Sequence, residues 1–224
     1  MAIDVSQAIQ TRHCKRAFLD QSVDRSNLEE VLKWAANAGS SKNSQPWQVA
    51  VVMGEACVRL SAALCAVFDQ KITEEMDYQY MMAPIPDEFM VRARTCGYNL
   101  FDLKGISRDD HGARTAHNRE NYEFFGAPVQ LVFHLPAGSE RGNFLDMGLF
   151  MQNVMLGLLD FGLASCPQVS IAQYPDTVRQ VLGIPLDRWI VAGMSVGYSD
   201  PNATVNTYVP ERLDLESYTQ WLDH

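Results

Sequence analysis

The chain has 224 residues, 47% of them hydrophobic and 20% charged, which suits one sizeable globular core. Its formal net charge of -9 argues against nucleic acid and anionic membrane surfaces as partners, so an anionic ligand must be caught by a local basic cluster. The five cysteines form no C-x-x-C pair, no apolar run reaches membrane-span length, and the opening residues lack a basic-then-apolar leader pattern. Reduced thiols in a cytoplasmic protein are the expectation.

Asp4 is placed to cap a short helix through Val5, Ala8 and Ile9, which ends in Arg12-His13-Cys14-Lys15-Arg16. Ser22 or Asp24 can cap a second helix carrying Leu28, Val31, Leu32, Ala35 and Ala36 at helical spacing, closed at Gly39. A polar loop over residues 40–46 leads into a valine-rich stretch, Trp47 to Met53, read as a buried strand. Glu55 to Phe68 reads as a helix. Residues 71–86 are acidic and rich in Met and Tyr. Asp87 to Leu103 and Ser107 to Phe125 read as two helices joined at Gly105. Pro128 to Leu135 is a strand. The stripe Phe144, Met147, Met151, Met155, Leu158 is apolar almost all round, which predicts a central buried helix. Leu163 to Val169 and Trp189 to Gly197 read as strands, with a helix from Tyr174 to Leu182 between them, closed by Gly183. The tail opens with turn residues, Ser199 to Asn202, and ends in a short helix near Tyr218 and Trp221. It has little core of its own, so it must pack on something else. No internal repeat or linker divides residues 1–224, and one domain is expected.

Several common chemistries are absent. There is no G-x-G-x-x-G, no phosphate-binding P-loop, no G-x-S-x-G and no H-E-x-x-H, and the five histidines make no i, i+4 pair. No metal site is expected.

Four segments remain. Arg12 to Arg16 concentrates three cations and a histidine, a patch suited to a phosphate, although a solvated basic turn has the same composition. Ser40-Ser41-Lys42-Asn43-Ser44-Gln45-Pro46-Trp47 offers many polar donors before a proline, as an ordinary connector also can. Cys166 to Ser170 lies at a strand end, where ligand contacts collect in α/β folds. Asn206 and Arg212 lie in the tail, and that arginine can reach a phosphate or form a surface ion pair of little worth.

In order, these segments resemble the nitroreductase family of flavoproteins. Ala8 to Phe18 is similar to its R-[RH]-S-x-[RK]-x-F motif, and Ala38 to Trp47 to its A-P-S-x-x-N-x-Q-P-W loop. Phe124 to Val129 looks like its lead into a central strand. Gly162 to Gln168 resembles G-L-G-[ST]-x-x-Q, and Gly197-Tyr198 with Val205, Asn206 and Arg212 resembles G-Y-P…P-V-N…R. The likeness runs from about Ala8 to Leu215. It departs from the pattern at Cys14 (usually serine), Gly39 (usually proline) and Val209 (often a second phosphate arginine).

The resemblance implies an α/β (α+β) fold: a central mixed, mostly antiparallel sheet flanked by helices, with a C-terminal arm exchanged across a homodimer. It implies FMN as cofactor, held between subunits, and NAD(P)H as co-substrate in a two-half-reaction cycle with nitroaromatic or quinone-like acceptors. Arg12, His13, Cys14, Arg16 and Arg212 would hold the phosphate, ribityl chain and ring edge. Ser40, Ser41 and Asn43 would come from the opposite subunit, with Gln45 close by. Pro167, Gln168 and Val169 would present backbone near the ring's reactive nitrogen. The resemblance names no general acid or base, since the cofactor carries the chemistry. Residues 70–125 would supply a helical lid over the substrate. Tyr78, Tyr80, Met81, Met82, Tyr122, Phe124 and Phe125 are candidates for stacking on an aromatic acceptor, or for packing. Arg92, Arg94, Arg108, Arg114 and Arg119 lie in the same region; one is a candidate to recognise an acceptor carboxylate, and the solvated state is the alternative expected for most. The same motifs would serve a flavoenzyme with another acceptor, or a flavin-binding protein without turnover.

Overall fold

In the computed structural model, residues 3–223 are described. They form seven α-helices: α1 Val5–Thr11, α2 Arg25–Ala35, α3 Gly54–Asp69, α4 Asp87–Leu103, α5 His111–Arg119, α6 Arg141–Asp160 and α7 Pro175–Leu182. Four strands, β1 Gln48–Met53, β2 Val129–Pro136, β3 Ala164–Gln168 and β4 Arg188–Gly197, pair in the order β1-β2-β4-β3. Every strand pair is antiparallel. The one parallel element is an isolated bridge between Cys14 and Ser165.

The sheet separates two cores. Alternation along β2 sends Val129, Leu131, Phe133 and Leu135 towards α2 and α6, and Val132 towards α3 and α7. Each such fully buried side chain contributes about 1.5–3 kcal/mol. A Cβ on Gly193 of β4 would lie 2.2 Å from Gln130 Nε2 and 2.5 Å from Ile171 Cγ1, so only glycine lets those side chains close over the sheet.

Several expectations hold. The Asp4 carboxylate accepts from the backbone N–H groups of Ser6 (2.8 Å) and Gln7 (3.4 Å), capping α1. Gly183 closes α7 in the left-handed conformation, with φ 68°.

Others are corrected. β1 is an edge strand, not a buried one: only Val52 is buried, and Val51 is 40% exposed. α6 buries only one face, Met147, Phe150, Val154 and Leu158, while Leu145 and Leu149 are 67% and 46% exposed. α2 stops at Ala35 rather than Gly39, where the Asn37 amide turns back onto the carbonyls of Lys33 and Trp34. The expected helix over 107–125 shrinks to α5, because the chain reverses through positive φ at Phe124, Phe125 and Gly126. The tail helix is a single turn, Leu215–Ser217.

The acidic stretch before α4 is tied down by its own charges. The Glu74 carboxylate accepts from Asp176 N (2.8 Å) and Thr177 N (3.2 Å) at the start of α7. Arg179 Nη1 donates to both Asp77 oxygens, at 2.9 and 2.7 Å, and Asp77 Oδ2 also accepts from Ile190 N at 2.8 Å. Tyr78 donates its hydroxyl hydrogen to the Val191 carbonyl at 2.7 Å. These bonds hold Tyr78 and Tyr80 beside β4.

Candidate functional site

α1 ends because Arg12 leaves the helical region, with ψ 113°. The next residues run extended between the start of β3 and the chain that follows β4. Lys15 N donates to Ser165 O at 3.2 Å, Leu19 N to Tyr198 O at 2.9 Å and Asp200 N to Ala17 O at 3.0 Å. Asn206 completes the seam. Its Oδ1 accepts from Arg16 N at 2.7 Å, and its Nδ2 donates to Ala17 O (2.8 Å) and Asp200 O (2.9 Å). Lys15 Nζ donates to the Asn206 carbonyl at 2.7 Å. The two basic segments, far apart in sequence, are thereby brought to one place.

They line a cavity of about 420 Å³ together with one face of α4: Arg12, His13, Cys14, Arg16, Arg92, Cys96, Tyr208 and Arg212 are on its wall, with Pro210, Glu211 and Leu213. Among the described residues, none of these four arginines pairs with a carboxylate. Arg212 Nη1 donates to the carbonyls of Pro210 and Glu211, both at 3.2 Å. In a chain of net charge -9, four arginines around a hollow that carries one acid, Glu211, are a local excess of positive charge suited to an anion. Val209 is 60% exposed and off the cavity wall.

Cys14 lies against Cys166. A hydrogen bond from the Cys166 thiol, and then the Arg16 and Arg12 guanidiniums, hold the Cys14 thiol well below its ordinary range despite burial. The same contact and burial push Cys166 up.

The Gln168 side chain is committed to the fold. Its Oε1 accepts from Ser195 Oγ at 2.6 Å and from Gln130 Nε2 at 3.3 Å, and its Nε2 donates to Asn121 O at 2.7 Å. Only backbone at Pro167 to Val169 remains for a ligand on this strand end. Val169 also lines a second cavity, of about 630 Å³, with Tyr78, Tyr80, Phe144, Met151, Trp189 and Arg141. The Tyr78 ring lies 4.7 Å from Phe144 and 6.4 Å from Tyr80.

Ser40, Ser41, Asn43 and Gln45 do not line the basic cavity of their own chain. Their loop is nonetheless built: φ is 52° at Lys42, 56° at Asn43 and 46° at Gln45, and the buried Asp146 carboxylate of α6 accepts from Ser41 N at 3.2 Å. Such backbone, held against its own preference, is characteristic of ligand clamps.

Tyr122, Phe124 and Phe125 are buried, 3%, 1% and 8% exposed, and none of them lines either of these two cavities. The reversal after α5 turns them inward, where Tyr122 packs on Phe68 and Tyr174 and donates to Gln173 Oε1 at 2.9 Å. Of the arginines considered for a carboxylate, Arg119 pairs with Asp69 and Glu123, and Arg108 and Arg114 lie over Tyr98 and Phe101. Arg92 belongs instead to the basic cavity. Sequence reasoning missed Cys96 and Tyr208 there. The i, i+4 spacing of Arg92 and Cys96, on one helix face, was the available signal.

No group of metal-ligating side chains occurs among the described residues, and no described helix is long and apolar enough to cross a membrane.

The Nitroreductase family model matches residues 9–198. The 4-nitrobenzoate reductase of Pseudomonas putida is 32% identical over 223 residues, covering 98% of this chain and 96% of that protein. Nitroreductase NfnB of Mycolicibacterium smegmatis is 34% identical, covering 98% and 94%. The crystal structure of FMN and NADPH-dependent nitroreductase NfnB from sphigopyxis sp. strain HMH has a TM-score of 0.95 at 35% identity, covering 99% of this chain and 100% of that one. With the antiparallel sheet and the ordered motifs in place, the chain belongs to the Nitroreductase family.

Proposed function

We propose that this chain is an FMN-dependent oxidoreductase that uses NAD(P)H to reduce nitroaromatic or quinone-like acceptors, and that it works as a homodimer. The observation that carries the reading is the basic cavity, where Arg12, Arg16, Arg92 and Arg212 face one hollow without carboxylate partners among the described residues. That donor set fits a dianionic phosphate, which guanidinium groups bind through short charge-assisted bonds. FMN, when bound, supplies the hydride chemistry.

The chain's own residues then bind and orient. Arg12, Arg16 and Arg212 hold the phosphate, with His13 and Cys14 beside the ribityl chain and ring edge. Backbone at Pro167, Gln168 and Val169 faces the ring. The second cavity, beyond Val169, takes the aromatic acceptor, with Tyr78, Tyr80 and Phe144 as its apolar walls. Residues 70–125 cover this side of a single domain. Ser40, Ser41, Asn43 and Gln45 serve the partner's site, which suits a shaped, exposed loop that does not reach its own chain's cavity.

The apolar surface left uncovered supports the dimer. Leu145 and Leu149 on α6 and Leu213, Leu215, Tyr218, Trp221 and Leu222 in the tail are 46–78% exposed. A tail of this kind is suited to lying across a second copy. The five free thiols support a cytoplasmic location.

The purified protein should be yellow, with flavin absorbance, and should oxidise NAD(P)H in the presence of 4-nitrobenzoate or a quinone. Double-reciprocal plots should be parallel. Sedimentation should give a dimer, and Leu149→Glu should give monomers that lose flavin. A folded, colourless protein that takes up no added FMN would overturn the reading. Intersecting lines would overturn the two-half cycle.

A further inference from the structure

We propose that Arg92 of α4 is a cofactor-phosphate ligand, so that α4 forms one wall of the flavin site; this rests on the flavin reading above. Three observations carry it. First, Arg92 lines the same hollow as Arg12, Arg16 and Arg212, although it stands on a helix that none of those segments belongs to. Second, it has no carboxylate partner among the described residues, even though its own helix begins with Asp87 and Glu88. Its guanidinium instead lies 4.9 Å from the centre of the Phe89 ring, a flat seat that fixes its plane while leaving its donors free. Third, the tail that brings Arg212 is anchored to the same helix. Thr204 Oγ1 donates to Leu103 O at 2.9 Å, and Tyr208 lies against Cys96 and Asn99. Arg92 and Arg212 are therefore mounted on one support and face one hollow.

α4 buries a single residue, Leu100, so packing alone holds it weakly. A dianion shared by Arg92, Arg12 and Arg16 bridges α4 to the extended segment after α1. The helix in the middle of the chain then becomes part of the cofactor site rather than only a cover for the acceptor.

The test is a flavin-fluorescence titration of full-length apoprotein with FMN and, separately, with riboflavin, which lacks the phosphate. Arg92→Ala should weaken FMN binding about tenfold, the loss of one exposed charge-assisted contact. It should leave riboflavin binding within about twofold, because no phosphate contact is lost. Arg92→Lys should recover part of the FMN affinity, and Arg94→Ala, on the same helix but off the cavity wall, should change neither. Alanine is a good helix former at this exposed position, so the variant should fold. Equal FMN affinity in wild type and Arg92→Ala overturns the assignment and leaves the flavin reading intact. An equal loss for FMN and riboflavin also overturns it. Wild-type protein that binds neither flavin overturns both.

Discussion

Arg188 Nε donates a hydrogen bond to His134 Nδ1 at 3.0 Å across the β2–β4 pair, and its Nη2 donates to the His134 carbonyl at 3.1 Å. An imidazole nitrogen that accepts must be unprotonated. Burial first, and the Arg188 charge second, push the His134 pKa down from 6.5 to about 4. The unfolded chain therefore takes up this proton before the folded one. Its contribution to stability is complete above pH 6.5 and is lost as pH falls towards 4. Urea unfolding should show a loss of about 2–3 kcal/mol from this group over that window. His134→Asn, which keeps an acceptor but cannot titrate, should flatten the pH dependence by that amount. Identical slopes in the two proteins would contradict the account.

Asn206→Ala removes three side-chain hydrogen bonds at the seam and leaves Arg16 N without its acceptor, while the Ala17 carbonyl keeps Asp200 N. A destabilisation of about 2–3 kcal/mol is expected from the three lost hydrogen bonds and the one N–H left unsatisfied. FMN affinity should fall too, because the seam sets the spacing of Arg16 and Arg212. Titration and thermal unfolding of the same variant check both parts.

Cys14 should be the first cysteine alkylated by iodoacetamide at neutral pH. Its thiol is held low by the Cys166 hydrogen bond and the two arginines, whereas burial pushes Cys57 up to about 11 and also raises Cys65. The apoprotein's alkylation rate should level off well below the ordinary thiol value of about 8.5. Arg16→Ala should move that profile to higher pH. Peptide mapping that finds Cys57 or Cys65 labelled first would refute it.

Arg179→Met strands the Asp77 carboxylate, which is 11% exposed, without its cation. Breaking one side of such a pair costs about 3–5 kcal/mol. The loss should be local at first: residues 71–86 should be cut by protease at low enzyme ratios, and acceptor KM should rise because Tyr78 and Tyr80 lose their anchorage. The double variant Asp77→Asn with Arg179→Met should recover part of the stability.

The parts of the fold that could be read from the chain are those decided locally. The Asp4 cap, the Gly183 stop and the α4 boundaries follow from residues within a few positions of each element. The misreadings share one cause. The valines of β1 look like a central strand and the leucines of α6 like a buried helix, because a sequence shows apolar surface without saying what covers it. Tyr122, Phe124 and Phe125 were plausible acceptor walls for a related reason. Aromatic side chains serve cores and sites alike, and only the reversal through positive φ at Phe124 and Phe125 turns them inward. In the site, Arg12, Arg16 and Arg212 were legible as basic residues in an acidic chain. Arg92 was not, because α4 also carries Arg94 and neither position by itself tells which of the two faces the tail.

The bond between Arg16 and Asn206 joins residues 190 positions apart. A ribosome making this protein must add 190 residues after Arg16 before that bond can form. The β1–β2 pair can form early, but the other two strand pairs await β4, and the basic cavity is not closed until Asn206 and Arg212 have emerged. A chain that stops near Gly197 lacks Asn206 and Arg212, and its basic cavity stays open on that side.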